Sequence, residues 1–323
     1  MDKYKPTILT PELLTEIRRL HFHTRRLVDQ GVMGQYKSAF RGKGIEFEEV
    51  REYMPGDDVR SIDWKVTARA RKPYIKNYRE ERELTVMIAV DVSRSTHTGT
   101  RVQLRESLIA RVGAALTLVA LNNNDKVGLV TFSDRIETYH PARKAKSAVW
   151  RILHEVLTPQ EYGHKTDIAM ACKFLSTVLR RPSIVFIISD FCGGDFRVNE
   201  LEIPFAVLSK RHDVTTVIVD DPSSEVLPNV GMIDLKDPET GKVFLVDTGN
   251  MALLALYKQE AAKKRQELMD VFNRYRVDSI ELSTAQESFM HALQKYFYLR
   301  SHCVGARSLN VSNSRNSEEL VKV

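Results

Sequence analysis

The chain has 323 residues, enough for one large domain and a smaller companion. Its hydrophobic fraction of 43% and charged fraction of 28% are typical of globular proteins, and they exclude a mostly disordered chain, a collagen-like repeat and a coiled-coil rod. The 48 lysines and arginines exceed the 42 aspartates and glutamates, which gives a net charge of +6. This balance permits acidic partners without reaching the charge density of a dedicated nucleic-acid binder.

The cysteines and the apolar segments indicate the cellular compartment of the protein. Cys172, Cys192 and Cys303 are odd in number and lack the spacing of a disulfide scaffold or a zinc site. The first residues contain no apolar signal segment, and the longest uncharged run, 112–124, is shorter than the ~20 apolar residues of a membrane-spanning helix. We therefore expect a soluble cytoplasmic protein with no membrane span.

Residues 1–83 predict a small basic module. Apolar residues at helical spacing indicate a helix over 10–30, and residues 45–78 indicate short strands and turns. We expect ion pairs to fasten this module, with Trp64 as its anchor, because its own core is small. The module also holds the best nucleic-acid candidates of the chain, for which a solvated basic face is the expected role. These candidates are Lys65, Arg69, Arg71, Lys72, Lys76, Arg79 and Arg82.

From residue 84 the pattern changes to short apolar strands alternating with helices, which is typical of a mostly parallel sheet covered on both faces. The predicted strands are 84–90, 126–132, 184–189, 214–219 and 277–282. The predicted helices are 101–121, 144–157, 167–179, 199–209, 250–275 and 286–300. We expect a three-layer, doubly wound α/β domain over 84–303 with a β-hairpin inserted at 231–247. Residues 304–323 are polar enough to predict a flexible tail.

Oxygen-bearing side chains follow two of the predicted strands. Asp91, Ser93 and Ser95 alternate directly after the first strand, Asp190 follows the strand 184–189, and Thr166 opens a helix. Because the carboxyl ends of parallel strands meet at one edge of a sheet, we expect these side chains to converge in one crevice. Carboxylate and hydroxyl oxygens suit a hard divalent cation, so the sequence predicts a site for Mg²⁺ (or Mn²⁺).

This pattern resembles the metal-ion-dependent adhesion site of von Willebrand factor A domains. Asp91, Ser93 and Ser95 match the Asp-x-Ser-x-Ser element, Thr166 matches the separate threonine, and Asp190 matches the distal aspartate. The resemblance covers residues 84–300 and implies a von Willebrand factor A-like fold, with these five residues as metal ligands.

The preceding residues are similar to family 58 of the domains of unknown function. The similarity begins at Gly42-Lys43-Gly44-Ile45-Glu46-Phe47, continues through Pro55-Gly56-Asp57-Asp58 and Ile62-Asp63-Trp64, and reaches Glu80-Glu81-Arg82-Glu83-Leu84. Members of that family resemble partners of MoxR-type AAA+ ATPases, with which they are often encoded. The resemblance implies an accessory role in the assembly or maturation of protein complexes.

The leading hypothesis is a non-enzymatic, metal-dependent protein-binding module, an adaptor or accessory factor for a MoxR-type AAA+ ATPase. The ATPase or a client protein would supply an Asp or Glu to the metal. A metal-dependent phosphohydrolase and nucleic-acid binding through the basic module are the alternatives. The sequence has no second aspartate two residues after Asp91, no Gly-x-Ser-x-Gly element and no P-loop, so we assign no catalytic residue.

Overall fold

The computed structural model describes residues 36, 39–40, 46–55, 57–59, 62–70, 72–79, 83–97, 104–158, 165–192, 197–237, 240–285, 288–302 and 310–312. The chain divides into two compact units, one of residues 41–84 and one of the remaining residues. The helix predicted over 10–30 and Cys303 lie outside the described residues.

The smaller unit is a two-stranded antiparallel sheet with one short helix. Strand β1, Glu46–Glu52, pairs with β2, Tyr74–Arg79, and the connection between them contains α1, Trp64–Ala70. The side chain of Asp63 accepts a hydrogen bond from the backbone N–H of Lys65 at 2.9 Å. This contact satisfies a free donor of the first helical turn, so α1 begins directly after Asp63.

An ion pair within the smaller unit fixes the turn after β1. The Arg51 guanidinium donates to both carboxylate oxygens of Asp57, at 2.8 and 2.7 Å, and these hydrogen bonds lower the pKa of Asp57. The predicted role of Trp64 is wrong. Trp64 is the first residue of α1 and is 69% exposed, so it is not buried as an anchor would be.

The larger unit contains the remaining strands. They are β3 Thr85–Asp91, β4 Lys126–Phe132, β5 Ile136–Arg143, β6 Ile184–Ser189, β7 Asp213–Asp220, β8 Met232–Lys236, β9 Val243–Asp247, β10 Asp278–Ser283 and β11 Asn310–Ser312. Seven of them form one sheet in the order β11-β10-β7-β6-β3-β4-β5, in which every pair is parallel except β4 with β5. This arrangement confirms the predicted mostly parallel sheet.

Helices cover both faces of this sheet. They are α2 Arg105–Asn122, α3 Lys146–Leu157, α4 Ile168–Val178, α5 Glu202–Arg211, α6 Pro222–Glu225, α7 Met251–Tyr275 and α8 Met290–His302. Helices α4, α5 and α7 share a buried cluster with Met87 and Ala89 of β3, while α2 packs on the opposite face against Val90 and Ile188. The larger unit is therefore the predicted three-layer α/β domain. No helix within the described ranges is long and apolar enough to cross a membrane.

The ends of the larger unit differ from the prediction. Tyr36 and Phe40 pack against Phe297 of α8, with ring centroids 5.4 and 6.2 Å apart, so these residues belong to the larger unit and not to a module of 1–83. Strand β11 pairs in parallel with β10 and buries Val311 opposite Ile280. The expectation of a flexible tail is therefore wrong at Asn310–Ser312, because one apolar side chain and the free edge of β10 order them.

The hairpin predicted within 231–247 is confirmed. Strands β8 and β9 pair antiparallel from Met232 opposite Asp247 to Lys236 opposite Val243. They form a separate two-stranded sheet and do not extend the central one. In the connecting turn, Gly241 has a φ of 71°, a backbone conformation that glycine adopts without steric cost.

Close packing of two strands predicts that Gly128→Ala destabilises the protein. A Cβ at Gly128 in β4 would lie 2.8 Å from backbone atoms of His140 and Ala142 in β5, so the strands would have to separate. We expect a loss of about 1–3 kcal/mol in the free energy of unfolding, measured by urea denaturation. Gly113→Ala in α2 is the matched control, because its Cβ meets a movable side-chain atom of Val156 at 3.2 Å and alanine favours a helix. Equal losses in both variants would contradict this account of Gly128.

A buried histidine predicts that acid weakens the fold. His212 precedes β7, and burial, together with the adjacent Arg211, lowers its pKa. Neither ring nitrogen has a hydrogen-bond partner among the described residues. The unfolded chain therefore takes up a proton more readily, and stability falls as the pH drops below the unfolded value of about 6.5. We expect His212→Leu to reduce the slope of unfolding free energy against pH between 7 and 5, and an unchanged slope would oppose this prediction.

Candidate metal centre

The candidate centre lies at the carboxyl edge of the central sheet, where the strand order reverses. The chain leaves β3 for β4 on one side and later enters β6 on the other side of β3. Asp91 is the last residue of β3, and Asp190 directly follows β6. At such a switch point the two loops diverge and leave a crevice for a ligand. The fold therefore places both predicted carboxylates at one edge.

Three hydroxyls gather beside these carboxylates. The Thr166 hydroxyl donates to Ser93 Oγ at 2.7 Å, and the Ser93 and Ser95 hydroxyls lie 3.0 Å apart. Ser95 Oγ is 3.5 Å from Thr166 Oγ1. The turn Arg94–His97 holds this geometry, because the Thr96 hydroxyl donates to the backbone carbonyl of Ser93 at 2.7 Å. The three predicted hydroxyls thus meet at one point.

Thr166 reaches the cluster because its loop is fastened to the end of β4. The backbone N–H of Asp167 donates to the carbonyl of Ser133 at 2.9 Å. The Asp167 carboxylate accepts from the backbone N–H of Met170 at 2.8 Å and caps α4. These two contacts place Thr166, although it comes from a part of the chain more than 70 residues after Asp91.

The two carboxylates are buried and held by hydrogen bonds. Asp91 is 1% exposed and accepts from the backbone N–H of Ser93 at 2.9 Å and from the Ser189 hydroxyl at 2.5 Å. Asp190 is 3% exposed and accepts from the backbone N–H of Cys192 at 3.0 Å and from the Ser95 side chain. Ser95 therefore links Asp190 to the hydroxyl cluster. All five predicted site residues are brought together.

The backbone next to Asp190 has an uncommon conformation. Phe191 has a φ of 50°, in the left-handed region that a bulky side chain rarely adopts. Its N–H donates to Ser189 Oγ at 3.0 Å, and its side chain is buried against Phe272 with ring centroids 5.6 Å apart. Such strain persists only where the surroundings over-determine it, and it occurs often at ligand sites. Here it turns the chain so that Asp190 faces Ser95.

Two buried carboxylates in one crevice repel each other, so a nearby positive charge stabilises their ionised forms. Burial and then the charge of Asp91 raise the pKa of Asp190 to about 7, while Arg105 and the hydrogen bonds from Cys192 and Ser95 act in the opposite direction. A divalent cation would relieve this repulsion, because opposite charge favours the ionised form of both groups.

The chemistry of the donors fits Mg²⁺ or Mn²⁺. The cluster offers two carboxylates and three hydroxyls, which are hard oxygen ligands, and Mg²⁺ usually keeps several waters and needs few charged ligands. Within the described part of the chain, no group of three or more His, Cys, Asp or Glu side chains could hold a metal ion. Metal ligation by Asp91, Ser93, Ser95, Thr166 and Asp190 stays a prediction.

Two further residues of the centre were not anticipated. Ser189 orients Asp91 from the end of β6, and a serine ending an otherwise apolar strand before an aspartate is a signal that could have identified it. Arg105 lies 3.4 Å from Asp190, between guanidinium nitrogen and carboxylate oxygen. An arginine at the start of a helix is ordinarily solvated, so no pattern in the sequence indicates this contact.

An open cleft of about 400 Å³ adjoins the centre. Asp190, Arg105 and Cys192 line its inner end, and Tyr257 and Lys264 of α7 line its outer wall. Burial, followed by the charge of Asp190, raises the pKa of the Cys192 thiol to about 12. The thiol is therefore protonated at neutral pH, which disfavours a role as nucleophile.

The larger unit is a mostly parallel α/β sheet covered by helices on both faces, with this oxygen cluster at the switch point of its strand order. The family described as "Protein of unknown function DUF58" matches residues 49–267, and the chain belongs to this family. Uncharacterized proteins of Mycobacterium bovis and Mycobacterium tuberculosis are 33% identical to it over 235 residues, 72% of this chain and 73% of theirs.

Several solved structures are also similar to this chain. BatB, a conserved hypothetical protein from Bacteroides thetaiotaomicron, has 18% identity and a TM-score of 0.42, over 67% of this chain and 96% of its own. A von Willebrand factor type A protein from Catenulispora acidiphila has 10% identity and a TM-score of 0.41, over 68% and 43%. The SpRpn10 VWA domain has 11% identity and a TM-score of 0.38, over 66% and 94%.

Proposed function

We propose that this protein is a metal-dependent protein-binding module. The convergence of Asp91, Ser93, Ser95, Thr166 and Asp190 at one point of the sheet edge is the single observation that supports the proposal most. Mg²⁺ or Mn²⁺ bound there retains a coordination position that the protein does not fill. A carboxylate from a partner protein completes the shell, so the cation becomes part of the interface.

The chemistry of the site favours binding over catalysis. Ser93, Ser95 and Thr166 donate to one another or to Asp190, and the Ser189 hydroxyl donates to Asp91. These hydrogen bonds orient ligands for a cation and activate no nucleophile. The alternative, a metal-dependent phosphohydrolase, would turn over generic phosphate esters and lose this activity in Asp91→Ala.

The proposed partner is a MoxR-type AAA+ ATPase, or a client protein that the ATPase remodels. Support for this choice is the family resemblance of residues 42–84 and the site's need for an Asp or Glu supplied by another protein. Under this proposal the chain is an adaptor or accessory factor in the assembly or maturation of protein complexes, and it has no enzymatic activity of its own.

The test is co-purification of the full-length chain with the MoxR-type ATPase from the same organism. We expect the ATPase to be retained in Mg²⁺, released by EDTA and absent from Asp91→Ala. Asp134→Ala is the matched control, because Asp134 follows the neighbouring strand β4 but is exposed. Retention that survives both EDTA and Asp91→Ala would reject the metal-dependent mechanism.

Nucleic-acid binding through the smaller unit is the second alternative. Trp64, Lys65 and Arg69 are exposed on α1, which is the arrangement that this alternative needs. Nucleic-acid binding predicts that the protein is retained on immobilised DNA or RNA and that this retention falls steeply with salt. It also predicts that the double variant Lys65→Glu, Arg69→Glu is not retained. Salt-independent or absent retention favours the protein-binding proposal.

A further inference from the structure

Arg105 is placed where an arginine is costly. It is the first residue of α2, at the positive end of the helix dipole, and only 6% of its surface is exposed. Burial of a guanidinium requires a compensating partner, because the loss of hydration costs several kcal/mol. Packing alone therefore does not explain why an arginine is buried at this position.

The compensating partner is a residue of the candidate metal centre. A guanidinium nitrogen of Arg105 donates to Asp190 Oδ2 at 3.4 Å, and a second one donates to the Ser224 hydroxyl. The other carboxylate oxygen of Asp190 accepts from the backbone N–H of Cys192. Both oxygens of Asp190 are thus engaged, one of them by a positive charge.

We propose that Arg105 is the resident counter-ion of Asp190 and competes with the divalent metal for it. Two cations on one buried carboxylate repel each other, so a metal that binds Asp190 must displace the guanidinium. The adjoining cleft of about 400 Å³, which Arg105 and Ser224 already line, provides room for the displaced side chain. Arg105 thereby sets the metal affinity of the centre. The inference rests on the proposed metal site.

The test is titration of the full-length protein with Mn²⁺, with free Mn²⁺ measured by electron paramagnetic resonance. We expect Arg105→Gln to bind Mn²⁺ at least about ten-fold more tightly than the wild type, and Arg105→Lys, which keeps the charge, to change less. Arg111→Gln is the matched control. It removes a positive charge from the same helix, at a residue that lies over the Phe289 ring at 5.6 Å, and we expect wild-type affinity.

Thermal unfolding separates this role from a structural one. Without metal, Arg105→Gln leaves the charge of Asp190 buried without its counter-ion and lowers the Tm. Saturating Mn²⁺ then raises the Tm of this variant by more than it raises that of the wild type. A purely structural Arg105 predicts the same drop in Tm with and without Mn²⁺, and such a result would overturn the inference.

The possible outcomes distinguish the two proposals. If Mn²⁺ binding is lost in Asp91→Ala but is equal or weaker in Arg105→Gln, the metal site stands and the competition by Arg105 is wrong. If neither the wild type nor Arg105→Gln binds Mn²⁺, both proposals are wrong.

Discussion

Replacing Asp91 with alanine is expected to lower the affinity for Mg²⁺ or Mn²⁺ by about 100-fold or more. Removal of a residue that only orients a metal ligand already costs about 10–100-fold, and Asp91 is proposed as a direct, charged ligand. We propose that the partner protein binds by coordinating the cation. The amount of partner that co-purifies with the Asp91→Ala variant should therefore fall as well. Isothermal titration with Mn²⁺ measures the first effect directly.

Controls separate the loss of a ligand from damage to the fold. Asp91→Asn keeps the size of the side chain and an oxygen that can accept from the backbone N–H of Ser93, so the fold should be retained while the metal affinity is lost. Asp134→Ala removes an exposed carboxylate from the end of the neighbouring strand and should bind Mn²⁺ like the wild type. Unchanged Mn²⁺ affinity in Asp91→Asn would oppose the assignment.

Replacing Arg300 with alanine is expected to reduce the free energy of unfolding by about 3–5 kcal/mol. Arg300 donates to the carboxylates of Asp213 and Asp278, and its guanidinium carbon lies 4.5 Å from the centroid of the Phe40 ring. Its loss leaves the buried Asp278 without its cation and exposes the contact that joins Phe40 to α8. Chemical denaturation, followed by the fluorescence of Trp150 in a Trp64→Phe background, reports on the larger unit alone.

Arg274→Ala is the matched control for this prediction. Arg274 also lies near the end of a helix and contacts both carboxylate oxygens of Glu202 at 3.0 Å, but its side chain is 58% exposed. Exposed ion pairs contribute about 0–1 kcal/mol, so this variant should lose little stability. Equal losses in Arg300→Ala and Arg274→Ala would show that burial of the pair between Arg300 and Asp278 is unimportant.

The buried strands were predictable because they satisfy one simple requirement. A parallel strand covered on both faces needs a continuous apolar run, and β4 and β6 have the predicted bounds. Strand β5 was missed because it is an antiparallel edge strand with mixed burial, and it contains His140 and Pro141. An edge strand tolerates such residues, so its sequence resembles a loop.

The structure near both ends of the chain could not be predicted from the sequence, because it depends on contacts between distant residues. Tyr36 and Phe40 reach their position through aromatic packing on Phe297, some 260 residues later. Strand β11 depends on the free edge of β10. Neither the aromatic packing of Tyr36 and Phe40 nor the pairing of β11 can be recognised from the local sequence. These short segments of mixed polarity become ordered only by packing against a distant part of the chain.

The candidate site could be predicted only in part for the same reason. Strand ends gave the positions of Asp91 and Asp190, because parallel strands end at a common edge. The approach of Arg105 to Asp190 depends instead on how α2 packs across the sheet, which no spacing of residues encodes. The sequence therefore predicted the five oxygen-bearing residues of the candidate site and missed Arg105, which we propose competes with a cation for Asp190.

The most direct test of the proposed centre is a crystal structure of the protein grown with Mn²⁺, with anomalous scattering used to locate the metal. We expect one strong peak among the side-chain oxygens of Asp91, Ser93, Ser95, Thr166 and Asp190, with the Arg105 guanidinium displaced from Asp190 into the adjoining cleft. A peak elsewhere on the protein, or no peak at the sheet edge with Arg105 still on Asp190, would contradict the assignment.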